Sequence, residues 1–333
     1  MKDIRPLSVN LALTRKCNYN CRFCFGRLCE LDREPEDARV LGIPGILAGI
    51  GCRKLTFEGG EPLLNPRLGD LLKVSRQCGL VTSVVTNGSL VTKLWLETYA
   101  PYLDWLGVSL DSSNERVEKE LGRGNGGHVA RVSKVASWCH ELGISLKINT
   151  VVTSLNCDED LKDTILELRP DRWKVFQVLL LNGENKERAR DLAIGNRRFL
   201  GFQRRNRAVR DSGINFVAES SEMMLGSYVM ALPDGRFFSN REGRHVFGRS
   251  SMIDVGVMAA LREVGWDVGK FLARGGVYDY SRRNEIKGGE SISKKGSSMS
   301  REAASRIQSH ADKSGTNQGF KARAQSAAES NEK

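Results

Sequence analysis

The 333-residue chain has no stretch long and apolar enough for a membrane-spanning helix, which needs about 20 consecutive apolar residues. Its first fifteen residues carry Lys2, Asp3, Arg5 and Arg15 and no long apolar run, so neither a secretory signal nor an amphipathic membrane anchor is expected. The expected location is cytoplasmic, without stable membrane association. Cysteine is too scarce for a disulfide scaffold: there are eight, and Cys17, Cys21, Cys24 and Cys29 crowd into 13 residues. That clustering points to a reducing compartment and a metal or cluster site. Beyond Tyr280 there is no Leu or Val at all, only scattered Ile286, Ile292, Met299, Ile307 and Phe320. So little apolar area does not offset the entropy of ordering, and 281–333 is expected to be a disordered basic tail, or an arm that orders on an anionic partner.

Of the formal net charge of +11, the tail accounts for +5, with eleven basic and six acidic residues. The remaining +6 suits an anionic small substrate as well as nucleic acid. No dense basic helix or RNA-binding signature supports the latter. Arg204, Arg205, Arg207 and Arg210 read as the solvated face of a helix.

What is present is a strand–helix rhythm. Leu7–Leu13, Leu55–Phe57, Val81–Val85, Leu106–Leu110, Leu146–Val152 and Val175–Leu181 read as strands ending beside Gly, Asn or Asp. His128–Leu142 carries Val129, Val132, Val135, Ala136, Cys139 and Leu142 at helical spacing, and Asp158–Leu168 reads as a helix capped by Asp158. About six right-handed parallel βα units fit, fewer than the eight of a closed barrel. The expected fold is α/β: a partial (β/α)6 barrel with ligand groups at the strand C-terminal ends. The domain expectation is a core over 1–190, an extension over 191–280 that completes the substrate pocket, and the tail. In the extension, Ile214–Val217, Tyr228–Leu232 and Arg236–Phe238 read as short strands, the last two around a Pro233–Asp234–Gly235 turn, and Ser251–Leu261 as a helix.

The central signal is Cys17-Asn18-Tyr19-Asn20-Cys21-Arg22-Phe23-Cys24, directly after the first strand. Three thiolates on one loop suit an iron–sulfur cluster with one iron left without a protein ligand. Zinc with Cys29 as fourth ligand is the competing reading, but zinc ligands come in short-spaced pairs and none is present. Cys52, Cys78, Cys139 and Cys157 read as small apolar residues.

This CxxxCxxC sequence, followed by Glu58-Gly59-Gly60-Glu61-Pro62 after the second strand, resembles the radical S-adenosylmethionine superfamily. Within it, Leu13–Cys21, Thr86–Leu90, Leu121–Gly124, Leu146-Lys147-Ile148-Asn149, Arg172-Trp173-Lys174-Val175-Phe176-Gln177 and Arg274–Tyr278 are similar to the viperin-like nucleotide dehydratases, in collinear order from about Ser8 to Ser281. The resemblance implies a 4Fe–4S cluster on Cys17, Cys21 and Cys24. It implies S-adenosylmethionine contacts from Gly59, Gly60, Glu61, Asn87, Ser109 and Arg123, and a nucleoside triphosphate held by Asn10, Lys147, Asn149, Arg172, Lys174 and Arg274. The residues themselves agree. Lys147 and Asn149 share one strand face, as do Arg172 and Lys174 on the next, so two strands aim cations into one volume.

The implied reaction abstracts the ribose 4′ hydrogen and removes the 3′ hydroxyl as water, with Tyr228 as candidate proton donor. The product lacks a 3′ hydroxyl and would terminate nucleic-acid chains, implying antiviral defence. Asn240, in Phe237–Arg241, is the candidate base reader: a carboxamide both donates and accepts, so it can read cytosine or uracil, with CTP favoured slightly, UTP close behind and purines left open. A ferredoxin- or flavodoxin-type reductant is implied, and a monomer is expected. Three departures stand out. The first strand is read almost at the start of the sequence, so the membrane localisation of vertebrate relatives is not expected to carry over. Gly26-Arg27-Leu28-Cys29-Glu30 replaces a His-containing stretch. Glu58 stands where the family has Ser, and should pair with Lys54 or turn outward. Two other classes stay open: a radical enzyme acting on RNA or a peptide, and a non-catalytic zinc or cluster protein.

Overall fold

In the computed structural model, residues 4–32 and 34–280 are described; the expected tail, 281–333, lies outside the described residues. Ten strands form one sheet: β1 (Ser8–Ala12), β2 (Lys54–Glu58), β3 (Val81–Thr86), β4 (Trp105–Ser109), β5 (Ser145–Val152), β6 (Arg172–Gln177), β7 (Asn215–Glu219), β8 (Met230–Ala231), β9 (Arg236–Ser239) and β10 (Val246–Ser251). Their order is β10-β9-β8-β1-β2-β3-β4-β5-β6-β7. From β8 through β7 every pair is parallel, and β8, β9 and β10 pair antiparallel at the other edge. The sheet is open, as the count of βα units implied.

Central strands are covered on both faces. Leu55, Phe57, Leu106, Val108, Leu146, Ile148, Trp173 and Val175 are fully buried, which parallel sheets flanked by helices require. The helix Leu68–Gln77 buries Leu68, Leu71, Leu72 and Ser75, one stripe at helical spacing. His128–Glu141 buries Val132, Val135, Ala136 and Cys139. Its first N–H groups, of His128 and Val129, donate to the Glu115 carboxylate at 2.9 and 2.7 Å. An acid from a preceding helix thus caps the positive end of this one.

Several boundaries differ from expectation. The sixth strand runs Arg172–Gln177 rather than Val175–Leu181, because Arg172 and Lys174 point into a cavity and need no apolar neighbours to be strand residues. Asn215–Glu219 extends the parallel sheet as a seventh strand beside β6. Asp158 does not cap the helix Lys162–Leu168; it is exposed and pairs with Arg198 at 2.8 Å. Met252–Val255 and Val257–Val264 are two helices interrupted at Gly256, with Ser251 capping the first. Tyr228 precedes β8 and is not itself in a strand.

Candidate active site

The strand C-terminal ends open onto one cavity of about 320 Å³. Of the residues that the resemblance assigns to cluster, cofactor and nucleotide, together with Tyr228 and Asn240, all but Glu61 line it. One end is the thiol loop. Two backbone hydrogen bonds, Gly60 N–H to Thr14 O at 2.6 Å and Glu61 N–H to Lys16 O at 2.8 Å, clamp it against the turn after β2. A Cβ at Gly60 would sit 2.1 Å from Lys16 O, and Gly59 adopts φ +142°, so only glycine permits this approach. On the other side Asn20 N–H donates to Gly122 O and Arg22 N–H to Leu121 O. The main chain thus clamps the loop on both sides, and Cys17 Sγ accepts from the Tyr19 N–H at 3.4 Å.

Cys17 is exposed, and Cys21 and Cys24 are half-buried. Burial pushes the Cys21 thiol up to about 12, and the neighbouring Cys24, Asp111 and Cys17 add to it against the pull of Arg123. Among the described residues no three Cys, His, Asp or Glu side chains meet as ligands of a single ion. A cube takes one thiolate per iron, so its cysteines stand apart; the donor set fits a cluster better than a zinc ion. Cys29 does not line the cavity; its backbone N–H donates to Glu184 at 2.8 Å. His128, far away in sequence, is brought beside the loop, 3.4 Å from the Tyr19 hydroxyl. Its Nε2 lies 2.8 Å from the Ser109 carbonyl and donates there, which leaves Nδ1, on the Tyr19 side, as the accepting nitrogen.

Next to the thiols, Asn87 Nδ2 donates to Asn18 at 2.8 Å and lies 3.9 Å from Cys17 Sγ. The Glu61 side chain works behind the wall, accepting from Thr86 Oγ1, Asn87 N–H and Leu63 N–H. It bolts the turn after β2 to the end of β3 instead of facing the cavity. Arg123 is paired as well: its Nε lies 2.5 Å from Asp111 and 3.7 Å from Glu118. Burial disfavours its charge, but Asp111, Cys21 and Glu118 more than restore it. A fixed guanidinium beside the thiol end is suited to a carboxylate.

The far end is a cationic cradle. Lys147 lies opposite Arg172, and Asn149 opposite Lys174, in the β5–β6 register. All three cations are more than nine-tenths buried. Lys54, at the start of β2, joins them, donating to the Tyr278 hydroxyl and lying 5.5 Å from the Trp105 ring. Burial, reinforced by Arg172, lowers Lys54 to about 7. Burial with Lys54 nearby lowers Lys147 to about 8. Burial lowers Lys174 to about 7 despite Glu219, with Arg274, Arg172 and Lys147 adding repulsion. Nε of Arg172, Nε of Arg274 and Oδ1 of Asn149 are buried without a hydrogen-bond partner among the described residues. Cations this crowded and this poorly satisfied are a receptor for a polyanion.

Segment 274–280 closes the cradle. Arg274 is 7% exposed, its guanidinium 3.6 Å over the Tyr228 ring and donating to Ser227 O at 3.2 Å. Arg172 donates to Gly275 O at 3.0 Å, and Trp105 Nε1 to Tyr280 O at 3.0 Å. Glu219, at the end of β7, lies 2.5 Å from Lys174 Nζ and accepts from the Tyr228 hydroxyl at 2.5 Å. Burial would raise Glu219, but Lys174 and Arg274 hold it below the ordinary carboxylate range. Burial places Tyr228 well above the ordinary phenol range, so it keeps its proton.

Glu58 does neither of the two things expected of it. Its carboxylate faces the cavity and accepts from Asn10 Nδ2 at 2.9 Å, while Lys54 turns to Tyr278. Burial raises Glu58 against the pull of that hydrogen bond and of Lys147 and Lys174. Asn240 is also more committed than its type suggested: its carboxamide oxygen accepts from Gly226 N–H at 2.8 Å, leaving the NH2 as a donor. Sequence reasoning missed Lys54, Glu219 and Tyr278. Lys54 carried a signal, since it shares a strand face with Glu58 by alternation, and Tyr278 closes the Arg274–Tyr278 segment; Glu219 carried none.

Residues 11–168 match the family model described as the radical SAM superfamily. The chain is 36% identical over 282 residues to an S-adenosylmethionine-dependent nucleotide dehydratase of Flammeovirga pacifica, covering 82% of this chain and 96% of that protein. It is 37% identical over 290 residues to the S-adenosylmethionine-dependent nucleotide dehydratase RSAD2 of Oncorhynchus mykiss, covering 83% and 81%. Against the like-named protein of Lacinutrix mariniflava it is 37% identical over 286 residues but spans only 59% of that chain's length. Among solved structures, Streptococcus suis SuiB bound to S-adenosylmethionine superposes with a TM-score of 0.55 at 21% identity, over 70% of this chain and 60% of that one. The enzyme anSMEcpe with bound AdoMet and a peptide gives 0.55 at 16%, over 70% and 74%. These two likenesses establish the fold. The sequence relatives place the chain in the radical SAM superfamily, as a member of its S-adenosylmethionine-dependent nucleotide dehydratase family.

Proposed function

We propose that this chain dehydrates a ribonucleoside triphosphate, CTP ahead of UTP, to the 3′-deoxy-3′,4′-didehydro nucleotide, as a defence against viruses. The observation that carries the reading is the placement of Lys54, Lys147, Arg172, Lys174 and Arg274 across one cavity from the three thiols. The triphosphate lies among these cations and the ribose between them and the thiol loop. Cys17, Cys21 and Cys24 would hold a 4Fe–4S cluster, which, given an electron by a ferredoxin- or flavodoxin-type protein, would supply the reductive cleavage of S-adenosylmethionine and with it a radical able to take the ribose 4′ hydrogen.

The protein's own residues do the rest. Arg123 and the Gly59–Gly60 backbone orient the methionine moiety beside the cluster. The cradle fixes the ribose so that one hydrogen is in reach, and the buried walls keep out water that would quench a radical. As the 3′ hydroxyl departs it takes a proton and leaves as water, and one further electron completes the 3′,4′ double bond. Tyr228 gives the proton, because its O–H stays protonated until a strongly basic oxygen develops nearby. Lys174, donating to the Tyr228 hydroxyl at 3.1 Å, replaces it.

The test is anaerobic reconstitution with S-adenosylmethionine and dithionite, measuring 5′-deoxyadenosine with each of CTP, UTP, GTP and ATP. One nucleotide raising turnover far above the nucleotide-free rate supports the reading. An equal rate with all four and with none overturns it.

A further inference from the structure

The hairpin β9–β10 brings a histidine to the cavity that neither the motifs nor the cationic cradle involve. Val246 lies opposite Ser239 and Phe247 opposite Phe238, and Asn240 and His245 are the residues that flank this pairing at the mouth of the turn. Side chains of directly opposed residues share a face, and alternate residues along a strand share it too. Phe238, Asn240, His245 and Phe247 therefore form one surface, and the first three line the cavity. Ser239 turns away, its hydroxyl accepting from Arg241 N–H. The His245 ring meets Phe238 edge-on at 5.3 Å and Phe247 at 6.0 Å.

The His245 side chain has no exposed surface, and neither has that of Glu184, whose Oε1 is 3.1 Å from His245 Nδ1. The same oxygen accepts the Cys29 N–H. A carboxylate only accepts, so Nδ1 carries a hydrogen and the ring is oriented with Nε2 as its remaining polar atom. Nε2 is buried and has no partner among the described residues. A buried polar atom left unpaired is costly, by about the desolvation of that group. An aromatic wall with an oriented ring nitrogen and an amide suits a planar heterocycle.

Asn240 can only donate from this face, its oxygen being held by Gly226. A pyrimidine presents a donor beside an acceptor along its edge, so the wall lacks an acceptor unless Nε2 supplies it. We infer that His245, oriented by Glu184, is the specificity-determining residue for the base, accepting a hydrogen bond from the exocyclic amine of cytosine while the Asn240 NH2 donates to the adjacent ring nitrogen. A carbonyl at the amine's position meets Nε2 lone pair to lone pair. Glu184 is a positioning residue, acting through the ring it holds.

This rests on the nucleotide reading above, and the probe separates the two. Equilibrium binding is measured on the cluster-loaded protein without reductant, using CTP and the 2-pyrimidinone ribonucleoside triphosphate, which lacks only the amine. Wild type is expected to bind CTP about tenfold more tightly, the size of one hydrogen bond. In His245→Phe the two affinities become equal, while the cluster chromophore reports an intact fold. His245→Asn, which keeps a donor toward Glu184 but removes the reading atom, gives the same equality should the Phe variant not fold. Equal wild-type affinities, or a tenfold preference that survives in either variant, overturn the role of His245 while leaving nucleotide binding in place. A wild-type protein that binds neither triphosphate overturns the nucleotide reading and this inference with it.

Discussion

The two ends of the cavity are built by different means. The thiol end is held by main-chain hydrogen bonds: Gly60 to Thr14, Glu61 to Lys16, Asn20 to Gly122. Asn18, Asn20 and Arg22 add side-chain bonds to other segments, while the thiols contribute little beyond the contact of Cys17 Sγ with the Tyr19 N–H. The cationic end is the reverse. Lys174, Glu219, Tyr228 and Arg274 hold one another, and Lys54 and Arg172 hold segment 274–280. There the groups that meet the ligand are also the groups that keep the wall together. A backbone-built end should lose chemistry without losing structure when mutated; a side-chain-built end should lose some of both.

The largest expected effect is at the first end. Cys21→Ala should abolish the cluster chromophore and all 5′-deoxyadenosine formation, with CTP affinity by calorimetry changing less than about threefold. A joint loss of nucleotide binding would mean the ends are not independent. At the second end, Lys174→Ala leaves the buried Glu219 without its ammonium, a change typically worth about 3 to 5 kcal/mol. The expected result is a lowered melting temperature and a nucleotide KM raised about a hundredfold, with the chromophore intact. A lost chromophore would contradict the separation.

The pH dependence sharpens the contrast. Lys54 and Lys174 stand near 7 and Lys147 near 8 in the free protein. A polyanion favours their charged forms and raises all three, so binding takes up protons. Affinity for CTP should therefore fall as pH rises from about 7 to 9, by up to about tenfold per unit for each lysine protonated on binding. Calorimetry in buffers of different ionisation enthalpy reads the uptake directly. No change with buffer would show that the lysines are already charged. The smallest effect is Glu58→Gln. It keeps an acceptor for Asn10 and removes a carboxylate from the anion's surroundings, so CTP affinity should rise about two- to fivefold at low salt. A fall would place Glu58 in a binding role.

How much of this could be read beforehand varies residue by residue. The CxxxCxxC and GGE segments are contiguous, and their assignment to one loop cluster at strand ends needs only the order of βα units. Glu61 belongs to the GGE segment by its main chain, while its side chain ties the turn after β2 to the end of β3, a direction that the motif does not state. Lys147, Asn149, Arg172 and Lys174 were legible by alternation on two neighbouring strands. Glu219 was not, since β7 is separated from β6 by a long stretch of loops and short helices and only its pairing makes it the partner of Lys174. His128, more than a hundred residues after the thiol loop, lies beside Tyr19, a contact that no local spacing announces.

The amino-acid order by itself determined the α/β class, the open run of parallel strands, the thiol loop and the faces on which four of the cradle residues lie. These follow from local period and from short spacings, which act through the nearest neighbours of each residue. Tertiary structure alone decided the partners: Glu58 with Asn10 instead of Lys54, Arg123 with Asp111, Glu219 with Lys174 and Tyr228, His245 with Glu184. Which charge meets which depends on strand register and on where distant segments return, and in a buried site the surrounding desolvation then sets how strongly each pair must hold.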